Sequence, residues 1–312
     1  MMRILVVGAG ATGGYYGGRM FQHGRDVSFL VRPARAARLR AEGLQIRSPH
    51  GDATLHPPLL SAGELAGRPF DLVLLSVKAY ALDAAIEDFA PAVGPRTRIL
   101  PVLNGMRHID TLSERFGADA VLGGVSQIAG TLDPEGRILQ LSPLHRLAYG
   151  LRRGTSAEGL DVAALDAALQ GAGFDARRAE DIDQELWEKW VFLASLGGIG
   201  SLLRASIGEI EAVPHGAALA LRLLHECTAV ATAAGYPPRT EALDSATAFL
   251  TQPGSPAVSS MYRDLQAGAP LESDTILGDL VERARQAGVD VPLLEAAWLQ
   301  LTIHGRRRAP GG

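Results

Sequence analysis

Charge of one sign, cysteine and long apolar runs are all scarce in this chain, and each shortage excludes something. Thirty basic residues stand against 34 acidic ones for a formal net charge of −4. No global field draws a polyanion, so neither nucleic acid nor an acidic membrane is expected as a partner. The single cysteine, Cys227, rules out an internal disulfide and lies in an alanine-rich helical pattern, the usage expected of a reducing cytoplasm. It reads as a small buried apolar residue. The longest strongly apolar run without a charge, Trp190 to Leu203, has 14 residues, short of the roughly 20 that a membrane span needs. That run reads as a buried helix with its exit loop. Met1-Met2-Arg3 ahead of Ile4–Val7 resembles the start of a signal peptide, but glycine breaks the run at Gly8 and no cleavage-like segment follows.

What is present is a globular composition, 47% hydrophobic and 21% charged, far from the signature of disorder. At roughly 100–200 residues per domain, 312 residues predict two domains. Up to about residue 180, short apolar runs at Ile4–Val7, Val27–Val31, Leu72–Val77, Ile99–Leu103 and Val121–Val125 alternate with helical patterns at 12–23, 34–42, 80–90 and 106–116. Uninterrupted apolar strands indicate a parallel sheet covered on both faces, so residues 1–180 are expected to form a doubly wound α/β domain of Rossmann type with a mainly parallel sheet. Asp133-Pro134-Glu135-Gly136 predicts a hairpin turn between strands near 126–131 and 137–142, with further sheet near 146–151 and 173–178. From 181 to 305 the helical period holds throughout, with patterns at 183–196, 214–234, 240–251, 257–267, 275–287 and 291–303, so the second domain is expected to be all-α. Residues 306–312 read as a frayed tail. Apolar faces on the Ala- and Leu-rich helices could support a homodimer, and no metal site is expected.

Gly8-Ala9-Gly10-Ala11-Thr12-Gly13 is a GxGxxG directly after a strand and directly before a helix, the context that gives this motif its meaning. The first glycine permits the tight turn, the second lets backbone approach a pyrophosphate, and the third allows close packing of helix on strand. The helix start at Ala11, Thr12 and Gly13 supplies N–H groups and positive dipole. Arg32 follows the second strand, where NAD sites place an acid for the ribose 2′-hydroxyl; a cation there suits a 2′-phosphate and favours NADPH. Arg35 and Arg38 follow at helical spacing and read either as part of that phosphate field or as a solvated helix face. Lys78 and Asn104 sit where the strands at Leu72–Val77 and Ile99–Leu103 should end, the edge at which ligands bind in parallel sheets, though each is also an ordinary loop residue.

In the helical half, Lys189 is the last charge before the apolar run, with Leu186, Phe192 and Leu193 on its side of the helix. Apolar neighbours lower a lysine's pKa and make it a better proton donor near neutrality, although a snorkelling lysine has the same spacing. Glu272 opens the helix after Gly268-Ala269-Pro270, where a carboxylate is also favoured by the dipole. Ser259 and Ser260 read equally as an N-cap pair.

Together these segments resemble the ketopantoate reductases (2-dehydropantoate 2-reductases). The resemblance runs through nearly the whole chain. It is carried by Gly8–Gly13, Leu30-Val31-Arg32, Ser76-Val77-Lys78-Ala79, Leu103-Asn104-Gly105-Met106, Leu186-Trp187-Glu188-Lys189, Gly208-Glu209-Ile210, and Ser259-Ser260-Met261 with Glu272 twelve residues after Ser260. It implies NADPH-dependent reduction of a small 2-keto acid, ketopantoate to pantoate, with hydride to the keto carbon and Lys189 as general acid. It further implies that Glu272 holds the substrate and the lysine's network, that Asn104 sits beside nicotinamide and substrate, and that Ser260 binds the substrate carboxylate. Family members usually carry asparagines where this chain has Leu193 and Gly197, and often where it has Ala257 and Leu277. Fewer amides would suit a more apolar 2-keto acid. A third reading is a non-catalytic NADP(H) sensor, which retention of Lys189, Asn104, Ser260 and Glu272 argues against.

Overall fold

The structure, a computed structural model, describes residues 1–308. Its strands are β1 (Arg3–Val7), β2 (Asp26–Leu30), β3 (Leu44–Arg47), β4 (Ala53–Leu55), β5 (Leu59–Leu60), β6 (Phe70–Leu75), β7 (Val93–Pro101), β8 (Gly123–Leu132), β9 (Ile138–Gly150) and β10 (Asp175–Arg178). Its α-helices are α1 (Ala11–Gln22), α2 (Pro33–Glu42), α3 (Leu82–Phe89), α4 (Arg107–Phe116), α5 (Val162–Leu169), α6 (Ile182–Leu203), α7 (Ile207–Glu211), α8 (Gly216–Ala233), α9 (Thr240–Leu250), α10 (Ser260–Ala267), α11 (Asp279–Ala287) and α12 (Pro292–Arg308). Backbone proximity divides them into two compact units, one of Met1–Leu103 with His108–Ile182, the other of Asn104–Arg107 with the described residues from Asp183 on.

In the first unit a parallel sheet runs in the order β5-β2-β1-β6-β7. Its strands are continuous apolar runs because each face has its own core. Ile4 and Val6 of β1 and Leu72 and Leu74 of β6 enter one cluster. Their alternates Leu5, Val7, Val73 and Leu75 enter the other. Strand order reverses between β1 and β6, so the turn after β1 lies at the switch point where such sheets bind ligands. A second, mixed sheet runs β10-β9-β3-β4, with β8 pairing antiparallel to β9 through the expected hairpin turn. There Asp133 accepts from the Arg137 backbone N–H at 2.8 Å and Gly136 takes φ = +71°.

The expected fifth parallel strand at Val121–Val125 is corrected. Only an isolated bridge, Ile99 to Val121, joins the first sheet, and from Gly123 the chain belongs to the second. The two glycines allow the change of sheet: a Cβ on Gly124 would lie 2.4 Å from the Pro101 carbonyl oxygen, and one on Gly123 would lie 2.6 Å from Ile182.

The second unit is helical from Asp183 on, with α8 packed against α7, α9, α11 and α12. The apolar run Trp190–Leu203 is helical throughout, so the expected exit loop inside it does not exist. Cys227 is fully buried and its thiol is pushed up to about 12 by burial, the behaviour of a core residue. A π-helical turn, Asp274–Gly278, precedes α11. The tail expectation is corrected as well: α12 continues through 306–308, and residues 309–312 lie outside those described. Among the described residues, no helix is long and apolar enough to cross a membrane.

Candidate active site

Gly8 takes φ = +100°, and a Cβ there would lie 2.3 Å from the Ser76 carbonyl oxygen, so glycine is required on both counts. Gly13 is closed off too: its Cβ would meet Gly8 O at 2.3 Å and Ser76 Cβ at 2.8 Å, which lets α1 lie against the ends of β1 and β6. Gly10 differs. Nothing lies within 4 Å of its would-be Cβ. It N-caps α1 with no side-chain cap bond, and no acid stands in the first turn. The N–H groups of Ala11, Thr12 and Gly13 are therefore left for an anion above an open backbone cradle, which fits a dinucleotide pyrophosphate. Arg32 N-caps α2 with its side chain exposed, just past β2. Lys78 occupies the matching place past β6, also exposed.

Within the second unit, Lys189 lies mid-way along α6 and is only partly accessible. Crowding by protein brings its pKa down from 10.5 to about 8, with the Glu272 carboxylate acting in the opposite direction. Glu188, its chain neighbour, is committed elsewhere. Its carboxylate accepts from Arg239 at 2.6 and 2.8 Å and from Gln184 at 3.1 Å, leaving Glu272 as the acid that Lys189 senses. Glu272 is 8% exposed and sits just before the first helical residue, Ser273, rather than inside the first turn. Its backbone carbonyl accepts from Ile276 N–H and from the Thr275 hydroxyl, both at 3.0 Å.

The Asn104-Gly105 turn belongs to this helical unit. Gly105 has φ = +80°, and a Cβ on it would be 2.5 Å from Thr275 O and 3.9 Å from Trp190 Nε1. Trp190 in turn donates to Ile276 O at 2.8 Å. The π-helical turn thus seats Asn104 near the residues that follow Lys189 and Glu272. Ser259 is the cap of α10, its hydroxyl accepting from Tyr262 N–H at 2.9 Å. Ser260 is the first helical residue and is exposed, so only one of the two serines caps. A Cβ on Gly197, two turns past Lys189, would lie 2.7 Å from Met261 Cε.

Residues 4–154 match the ketopantoate reductase PanE/ApbA family, and residues 181–303 match its C-terminal region. The chain belongs to the ketopantoate reductase family. An uncharacterised oxidoreductase, YkpB of Bacillus subtilis, is 36% identical over 97% of this chain and 99% of its own. A crystal structure of 2-dehydropantoate 2-reductase from Geobacter metallireducens shares 30% identity at a TM-score of 0.85, covering 96% of this chain and all of that one. A D-mandelate dehydrogenase superposes at a TM-score of 0.86 with 20% identity, over 98% of this chain and 99% of its own, a likeness of fold. Among ketopantoate reductase relatives, then, this chain is an oxidoreductase of the same two-part fold. The π-helical turn, Thr275 and Trp190 were not singled out from sequence. Trp190 has a signal, since it stands next to Lys189, but a π turn leaves no periodic trace.

Proposed function

We propose that this ketopantoate reductase relative reduces a 2-keto acid to the 2-hydroxy acid with NADPH, ketopantoate to pantoate being the first candidate pair. The observation that carries the reading is the Lys189 amine, drawn down to about 8 beside Glu272 in a largely apolar helix. With its pyrophosphate held over Gly8–Gly13, bound NADPH would supply the hydride from its nicotinamide. Lys189 then holds a proton for the oxygen of the keto group. A free alkoxide in a dry cleft is costly, so that proton must arrive as charge develops. Glu272 favours the charged lysine and so keeps it loaded at neutral pH. Asn104 offers an amide to the keto group or the cofactor's amide, and the exposed Ser260 hydroxyl is free to bind the substrate carboxylate. Gly8, Gly10, Ala11, Thr12, Gly13, Arg32 and Lys78 bind the cofactor, with Asn104 beside its nicotinamide. In this reading the enzyme works in the cytoplasm and serves pantothenate synthesis.

A second reading, a more apolar 2-keto acid, is supported by one arrangement. Leu193 lies a turn beyond Lys189 and stays partly accessible, and at Gly197 the Met261 methyl occupies the space a side chain would need. Leu277, fully buried, and Ala257, whose backbone bonds Ile207, belong to packing instead. NADPH oxidation should therefore be measured with ketopantoate and with 3,3-dimethyl-2-oxobutanoate, which lacks only its hydroxyl. A pocket built to bond that hydroxyl should reject the deoxy acid by roughly 10⁴-fold in kcat/KM, whereas an apolar pocket should favour it by at most about 10²-fold. Tight NADPH binding with no turnover of any 2-keto acid would discard both readings in favour of a sensor.

Glu272→Gln gives a test of the proton donor's environment. Removing the carboxylate removes the influence that raises the Lys189 pKa, so the protonated form should be lost at lower pH. The falling limb of the kcat profile, expected near pH 8 in the parent, should move to more acidic pH. An unmoved limb would mean that Lys189 is not the group being titrated.

A further inference from the structure

Arg35 lies one turn into α2 from Arg32. Its Nη2 donates to the carbonyl oxygen of Ala9, between the first two glycines of the loop, at 3.2 Å. Its Nε is buried with no acceptor. Arg38, the next cation on the same face, is engaged: its Nε meets Glu42 at 3.2 Å and its Nη1 reaches Pro134 O at 3.4 Å. The β8–β9 turn closes over the pair. A Cβ on Gly136 would lie 2.6 Å from Arg35 Nη1 and 3.1 Å from Arg38 Nη1, so a side chain there would displace both. Burial, and then the like charge of Arg38, hold the Arg35 guanidinium below its usual pKa.

We propose that Arg35 is a second ligand for the 2′-phosphate of NADP(H), alongside Arg32, and that the β8–β9 turn is the wall holding it in place. The proposal rests on the cofactor reading above and extends it to a residue that reads from sequence equally as solvated helix face. A cation on a solvated face keeps water on all its donors. Arg35 instead has one long bond, a stranded Nε and a like-charged neighbour, a cation undercompensated until an anion arrives. A phosphate monoester presents oxygens that the planar guanidinium fork can meet in pairs once the side chain turns outward. The position also discriminates between phosphates. Gly10 and the start of α1 follow β1, where this fold class holds a pyrophosphate, whereas Arg32 and Arg35 follow β2, where it reads the ribose.

The test is binding, read by calorimetry without turnover. Arg35→Met keeps the aliphatic stem and removes the charge. It should weaken NADPH by about 10- to 100-fold, the range for a hydrogen bond to a charged group. NADH affinity should stay unchanged, the same split should appear between 2′,5′-ADP and 5′-AMP, and Arg35→Lys should recover part of the loss. Equal weakening of NADPH and NADH would show a structural role and overturn the proposal, as would no change in either. Inorganic phosphate competing as well as 2′,5′-ADP would overturn it too, by making this a free-anion site. If the parent protein binds NADH as tightly as NADPH, the cofactor reading itself fails, whatever Arg35→Met does.

Discussion

Lys189→Ala should lower kcat by roughly 10²–10⁴-fold while leaving NADPH affinity nearly intact, the range expected when a positioned general acid is lost. The two readouts separate because Lys189 lies in the helical unit and the glycine loop in the other. Protein crowding has already brought the amine to about pH 8, so it is mostly charged at neutrality yet gives up its proton more readily than a free lysine. In the parent, kcat should fall as pH rises through about 8, and that limb should be absent from the residual activity of the variant. Stopped-flow oxidation of NADPH across pH 6–10 would measure both; a variant that turns over normally would reduce Lys189 to a snorkelling side chain.

Arg32→Asp should reverse the cofactor preference. Arg32 stands at the end of β2 with its side chain exposed, beside the strand whose neighbour β1 carries the glycine loop. A carboxylate there would repel a 2′-phosphate and accept from a ribose 2′-hydroxyl instead. Losing a charged hydrogen bond and gaining a like-charge contact should move the NADPH-to-NADH affinity ratio by on the order of 10²-fold or more. Fluorescence titration with both nucleotides tests this, and equal affinities in the parent would already contradict it.

Much of the parallel sheet was legible because β1 and β6 are buried on both faces and must be apolar along their length, which neither an amphipathic helix nor a half-exposed strand requires. The glycine loop was legible for a different reason, since Gly8 and Gly13 each meet a steric demand that other residues fail. Short edge elements were not. β3, β4 and β5 span two to four residues, too few for a period to register, and α5 follows a glycine-rich stretch that reads as loop. Val121–Val125 misled because an apolar run cannot say which sheet it joins; the glycines at 123 and 124 decide that, through contacts to Pro101 and Ile182 distant in sequence. On the site, the helical neighbours of Lys189 fit a snorkelling lysine as well as a proton donor, so only the family resemblance singled it out, and its relation to Glu272 depends on a fold-back of more than eighty residues. The space at Gly197 looked like a missing amide in sequence, and only the structure shows it filled by Met261.

The seat of the Asn104-Gly105 turn has a consequence for the order in which the protein is built. Every described strand is complete by Arg178, so all the sheet-forming segments precede the helical half in synthesis. Asn104 cannot be finished then. Gly105 rests on the Thr275 carbonyl and lies near Trp190, and those partners are synthesised long after β7. A chain ending before residue 275 would contain every described strand and the whole glycine loop. Its Asn104 turn would still lack the carbonyl on which Gly105 rests.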